Sequence, residues 1–160
     1  MLRRIISGGQ TGVDRAALDA ALELGLPCGG YCPAGRRAED GPIPRRYPLE
    51  ETSSPSYAAR TWANVRLADA TLVLSPGPPR GGTALTVCAC QRLGKPYLVV
   101  DPRDSSAVPV VLSWLASHGV AVLNVAGPRE SQHPGVYASA RAFLGELFSK
   151  AARFSGAASS

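Results

Sequence analysis

Two glycine-bearing stretches, Ser7-Gly8-Gly9-Gln10-Thr11-Gly12 and Ser75-Pro76-Gly77-Pro78-Pro79-Arg80-Gly81-Gly82-Thr83, hold the residues of this chain best suited to chemistry. Each follows an apolar run and precedes a helix-periodic one, so backbone N–H groups and a positive helix terminus face the same space. The chemistry that suits is anion recognition. In the first stretch Gly8, Gly9 and Gly12 permit a tight turn and close backbone approach, Gln10 and Thr11 can donate hydrogen bonds, and Arg15 adds charge. In the second, Gly81, Gly82 and Thr83 open a helix and Arg80 supplies the charge. A third stretch, Asn124 to Ser131, offers Asn124, Arg129 and Ser131, although the same residues read equally well as a polar surface turn. Fifteen of the seventeen basic residues are arginine, and Arg36, Arg37, Arg45, Arg46, Arg80 and Arg129 fall between elements, where a planar guanidinium can grip phosphate or carboxylate.

The positioning elements follow from periodicity and punctuation. Arg4-Ile5-Ile6-Ser7 is a short apolar run that stops at glycines, as a buried parallel strand does. Thr11 and Asp14 fit a capping box at the start of a helix whose apolar stripe is Val13, Ala17, Ala20, Ala21 and Leu24. Gly25, Gly94 and Gly119 each stand where a helix would end, before the apolar segments Cys28 to Tyr31, Tyr97 to Val100 and Ala121 to Val125. Ala70 to Leu74 is a further buried strand. Helices are expected over Ser56 to Ala68, Thr83 to Leu93, Val108 to Ser117 and Val136 to Ala152. Strands alternating with helices predict an α/β fold, a Rossmann-like three-layer sandwich with a mostly parallel central sheet and helices on both faces. Residues 1–153 are read as one ligand-binding domain and 154–160 as a frayed tail. The stretch from Cys32 to Pro55, with five prolines and no periodicity, is expected to be a stiff, packed, functional loop, with Tyr47 and Leu49 as its anchors.

Composition narrows the function. The chain has 160 residues, 45% of them hydrophobic, with a net charge of +5, and no apolar run long enough to span a membrane. With no room for a signal peptide ahead of the first strand, a cytoplasmic location is expected. Cys28, Cys32, Cys88 and Cys90 lack metal-site spacing and read as buried thiols. The glycines run G-G-x-x-G rather than G-x-G-x-x-G, and no lysine accompanies either glycine loop, which excludes dinucleotide and Walker-type fingerprints. Nucleic acid is disfavoured as a partner, since neither a lysine-rich stripe nor interleaved aromatics accompany the positive charge. His118 reads as a helix cap, and His133 has no nucleophile partner in sight.

Taken together, Gly8-Gly9-Gln10-Thr11-Gly12-Val13-Asp14-Arg15, Cys32 to Gly41, Tyr47-Pro48-Leu49, Arg60-Thr61-x-x-Asn64-Val65, Gly81-Gly82-Thr83 and Asn124 to Arg129 resemble the molybdenum carrier (molybdenum cofactor carrier protein) family. The resemblance covers nearly the whole chain. It implies the Rossmann-like superfamily of the cytokinin-activating phosphoribohydrolases, a homo-oligomer (dimer or tetramer), and molybdenum cofactor as cargo destined for molybdoenzymes. In that reading Gly8, Gly9, Gln10, Thr11 and Gly12 cradle a phosphate, Gly81, Gly82 and Thr83 form the second wall, and Arg15, Arg36, Arg80 and Arg129 supply charge. The expected function is non-catalytic binding of a phosphorylated anionic small molecule. The alternative is a sensor of an adenine nucleotide, or a phosphoribohydrolase-like enzyme. The phosphoribohydrolases carry Gly-Gly-x-Gly-Thr-x-x-Glu, and here Thr86 stands where that glutamate should be, so such an enzyme would have to use Glu39 or Asp40.

Overall fold

The computed structural model describes residues 1–157, with side chains to residue 152. In chain order the elements are β1 (Arg4–Ile6), α1 (Val13–Glu23), β2 (Cys28–Gly29), β3 (Tyr31–Cys32), β4 (Arg37–Ala38), β5 (Gly41–Pro42), β6 (Glu50–Glu51), α2 (Tyr57–Leu67), β7 (Ala70–Leu74), α3 (Gly81–Leu93), β8 (Tyr97–Val100), α4 (Val108–Ser117), β9 (Val122–Ala126) and α5 (Val136–Ala157). Helix α5 takes in the start of the stretch expected to fray; residues 158–160 of that stretch lie outside the described residues.

Five strands form one sheet in the order β2-β1-β9-β7-β8, every neighbouring pair parallel. The last strand in sequence, β9, lies between β1 and β7. Burial on both faces explains its apolar composition: Leu123 and Val125 face one layer of helices, while Asn124 is buried on the other side, where its amide donates to Thr71 Oγ1 at 3.2 Å. Helices α1, α4 and α5 cover the first face and α2 with α3 the second, giving the three-layer α/β sandwich. On the first face α1 presents Ala16, Ala17, Ala20 and Ala21, small side chains that let α5 approach closely with Phe143, Leu144, Leu147 and Phe148. Each of those four larger side chains, buried here, contributes about 2 kcal/mol of apolar transfer free energy.

Three local expectations are corrected. The segment Cys28 to Tyr31 is not one strand. Gly30, at φ +122°, divides it, and a Cβ there would stand 2.6 Å from the Ser7 carbonyl oxygen, so β3 leaves the main sheet and pairs with β6 instead. The capping box does not form. Gly12, at φ +80°, occupies the N-cap without a side-chain bond, and Asp14 Oδ2 turns back to accept the Gln10 N–H at 3.2 Å. Residues 32 to 55 are not structureless either, because β4 pairs with β5 and β6 with β3. The packing expected of that loop is present: Ile43, Tyr47 and Leu49 join Cys32, Ala38 and Leu18 of α1 in a small core of their own.

Candidate functional site

Helix α1 runs from β1 to its neighbour on one side, and α3 runs from β7 to its neighbour on the other. The carboxyl ends of β1, β9 and β7 therefore open between helices of opposite layers, where parallel sheets leave a crevice. A cleft of about 200 Å³ lies there. Its walls come from the loops after β1 (Gly8, Gln10) and β9 (Gly127, Arg129, Gln132), from the first turn of α1 (Asp14), from α2 (Tyr57, Arg60, Thr61, Asn64) and from the start of α3 (Gly82, Thr83, Thr86). A second depression of about 300 Å³, lined by Ser75, Arg80 and His133, adjoins it through the shared residues Thr83 and Gln132.

The two glycine loops play different parts. Around the first, protein fills the space a side chain would need. A Cβ on Gly8 would stand 2.3 Å from an Arg60 guanidinium nitrogen, one on Gly9 2.6 Å from Leu49, and one on Gly12 2.4 Å from the Pro128 carbonyl oxygen. Those glycines answer to internal packing. A Cβ on Gly82 would meet nothing within 4 Å, and α3 opens at Arg80 without a side-chain cap. The α3 terminus thus has both the open space and the unneutralised helix end that an anion needs.

The arginines divide in the same way. Arg60, buried on α2, donates to the Gly8 carbonyl at 2.9 Å and lies 3.6 Å from Asp14 Oδ2. The guanidiniums of Arg37, Arg60 and Arg129 surround the Tyr57 ring at 4.4, 5.7 and 5.5 Å from its centroid, setting positive charge around one cleft wall. Arg80 lines the adjoining depression. Arg36 is not a ligand group: its guanidinium is buried inside the 32–55 loop and donates to the carbonyls of Ile43, Leu49, Pro44 and Tyr47 at 2.8 to 3.3 Å. Arg15 also points away from the cleft, donating to the Gly9 carbonyl and pairing through two nitrogens with Asp40.

Glu39 and Asp40 are engaged in the same manner. Glu39 accepts from the Thr11 hydroxyl and from the Ser131 N–H and hydroxyl, with Arg129 at 3.9 Å. Burial pulls its carboxyl up, but the bonds from Ser131 and Thr11 and the Arg129 charge outweigh it and hold the group below its ordinary range. The hydrogen bond from Arg15 does the same for Asp40. Both are ionised and tied into the loop, and neither lines the cleft. Thr11, bound to Glu39 and accepting the Glu130 N–H, is likewise committed to loop structure. The carboxyl that does line the cleft is Asp14, pushed up by burial against the opposing pull of Arg60 and the Gln10 N–H.

Sequence reasoning treated Asp14 as a helix opener and met Arg60, Thr61 and Asn64 only as a family pattern. The available signal was polarity on the wrong stripe: Arg60, Thr61 and Asn64 occupy the buried face of α2 beside Val65, where an amphipathic helix would carry apolar residues. Asn64 spends both amide atoms on the Tyr31 backbone, while Arg60 and Thr61 face the cleft. His118 ends α4 with Nδ1 against the Trp114 carbonyl, the capping role expected of it. The four cysteines are free thiols, and burial raises those of Cys28, Cys32 and Cys90.

A parallel α/β sandwich with a polar cleft at the switch point of its sheet is the architecture of a Rossmann-like small-molecule-binding protein. Residues 5–148 match the circularly permutated YpsA SLOG family, and the chain belongs to it. Among solved structures it is similar to the protein of Syntrophus aciditrophicus named "Putative molybdenum carrier protein", with 43% identity, a TM-score of 0.88, and coverage of 92% of this chain and 94% of that one. The resemblance read from the sequence is borne out. No curated protein matches the chain by sequence.

Proposed function

We propose that this protein is a non-catalytic carrier that binds a phosphorylated, anionic heterocycle in the cleft, with molybdenum cofactor as its cargo. The observation that carries the reading is the uncapped start of α3, where Gly82 faces open space beside a wall rimmed by Arg37, Arg60 and Arg129. The phosphate rests on the N–H groups of Gly81 and Gly82, with Arg129 and, from the adjoining depression, Arg80 as counter-charges. In this reading the pterin supplies the sulfurs that hold the metal and the protein need supply no ligand to it; among the described residues no group of three His, Cys, Asp or Glu could hold a metal ion. The name of the Syntrophus relative supports the choice of cargo.

The carrier acts in the cytoplasm and hands its cargo to molybdoenzymes; among the described residues no helix is long and apolar enough to cross a membrane. It works as a homo-oligomer. The support is α3, which has no charged residue before Arg92 and leaves Val87 and Cys88 half exposed, and edge strand β8, where Val99 is exposed. Light scattering should give a mass of two or four chains.

Native mass spectrometry of freshly purified protein, then thermal-shift titration with AMP, ADP, ATP, molybdate and molybdenum cofactor, tests the proposal. A pterin or molybdenum adduct, or stabilisation by the cofactor alone, is the expected result. Stabilisation by adenine nucleotides alone would replace it with the second reading, a nucleotide sensor or N-glycosidic hydrolase, which the raised Asp14 carboxyl in the cleft favours as an acid. In that case release of free base from AMP should vanish in Asp14→Asn and survive in Glu39→Gln, whose carboxylate lies outside the cleft.

A further inference from the structure

Gln10 is 6% exposed and its side chain reaches the cleft, yet Nε2 is the one buried side-chain nitrogen or oxygen among the described residues with no hydrogen-bond partner. Its orientation is fixed. Oε1 accepts the Thr11 N–H at 3.1 Å and the Glu39 N–H at 2.9 Å, so a flipped amide would set its NH2 against two backbone donors. A buried donor held in this way is costly until an acceptor arrives, and the cleft is where one can arrive.

The surroundings decide what kind of acceptor. Beside Gln10 stands Asp14, whose Oδ2 accepts the Gln10 N–H, with Arg60 at 3.6 Å as its counter-ion. The pair is close to neutral, and a phosphate dianion on this floor would face the Asp14 carboxylate directly. The positive helix end belongs to a separate wall of the cleft, the first turn of α3, while Arg129 stands over Tyr57. Resting on the carrier reading above, we propose that the floor of the cleft reads the heterocycle and not the phosphate. Gln10 Nε2 donates to an uncharged ring acceptor, a carbonyl oxygen or ring nitrogen, and Asp14 accepts from the N–H beside it. The ligand thus binds ring-inward, with its phosphate at α3, and its class is a fused pyrimidine with an acceptor next to a donor on one edge, as in purines and pterins. A bare phosphosugar offers hydroxyls there but no planar edge with a fixed acceptor beside a donor.

Calorimetric titration with GMP, 6-hydroxymethylpterin monophosphate and ribose 5-phosphate separates ring from phosphate at matched charge. The wild-type protein should bind at least one ring-bearing ligand roughly tenfold or more tightly than ribose 5-phosphate. Gln10→Glu keeps the Oε1 contacts and reverses the polarity of the atom aimed into the cleft. The ratio between ring-bearing and ring-free affinities should then collapse toward one: the added charge weakens all three ligands alike and cancels in the ratio, while the lost donor weakens only the ring-bearing ones. Should Gln10→Glu lower the melting temperature, Asp14→Asn, which turns the acceptor into a mixed donor and acceptor, must reduce the same ratio. Equal wild-type affinity for all three ligands, or an unchanged ratio in both variants, overturns the ring-reading floor and leaves the phosphate site standing. Binding of none of the three overturns both.

Discussion

Replacing Arg36 with methionine separates a structural arginine from a ligand-binding one. The substitution keeps the aliphatic stem and removes a guanidinium that makes four hydrogen bonds to carbonyls of the 32–55 loop. At about 1 kcal/mol net per bond, the loss is on the order of 4 kcal/mol, which for a chain of this size lowers the melting temperature by roughly 10 °C. Arg36 also sits at φ +54°, and methionine does not relieve that backbone. The loop can detach before the domain unfolds, since Ile43, Tyr47 and Leu49 form a core separate from the main one. Scanning calorimetry should therefore be paired with limited proteolysis, and cleavage between residues 36 and 50 should accelerate even if local opening limits the shift in midpoint. An unchanged midpoint and cleavage rate together with lost ligand binding would refute this and return Arg36 to the ligand.

Gly12→Ala meets both a positive φ and the Pro128 carbonyl oxygen at 2.4 Å, so it should cost more than about 2 kcal/mol in chemical denaturation. Gly82→Val, where nothing stands within 4 Å of a Cβ, should leave the midpoint nearly unchanged and abolish ligand stabilisation in the thermal-shift assay. Tyr47 and Tyr137 both donate to Asp19, at 2.8 and 2.5 Å, tying the loop and α5 to α1. Burial, with Asp19 next, pushes the Tyr137 phenol up to about 12. Each Tyr→Phe change should cost about 1 kcal/mol, and the double variant should depart from additivity because the carboxylate is shared. Acid should loosen the loop. The Glu39 and Asp40 carboxyls lie below their ordinary values in the folded state, so their stabilisation is complete at neutral pH and is lost as pH falls through those lowered values. Protection factors at residues 33–42, referred to the intrinsic exchange rate at each pH, should fall below about pH 4 before the main sheet loses protection. Asp14, raised by burial, acts in the opposite sense: its ionisation opposes folding, and that opposition is relieved as pH falls.

The layers and the glycine loops are legible in the residues alone. Apolar runs such as Ala70 to Leu74, and helices punctuated at Gly25, Gly94 and Gly119, follow from local periodicity and backbone preference, which a chain carries in its own residues. Even the packing of Tyr47 and Leu49 was legible, because prolines stiffen the chain on either side of them. Tertiary structure alone decided which polar groups serve the cleft. Inserting β9 between β1 and β7 sets Arg129 and Gln132 beside Gln10 and Asp14, residues more than a hundred positions away. Arg36 and Arg129 both lie between strands and helices in sequence, yet one is spent on four carbonyls of its own loop and the other stands over Tyr57 in the cleft wall. Glu39 and Asp40, with the residue types of an acid and a base, are taken up by Thr11, Ser131 and Arg15. A side chain's role depends on which partner reaches it first in three dimensions, and hydrogen bonds between distant segments leave no period in a sequence to read.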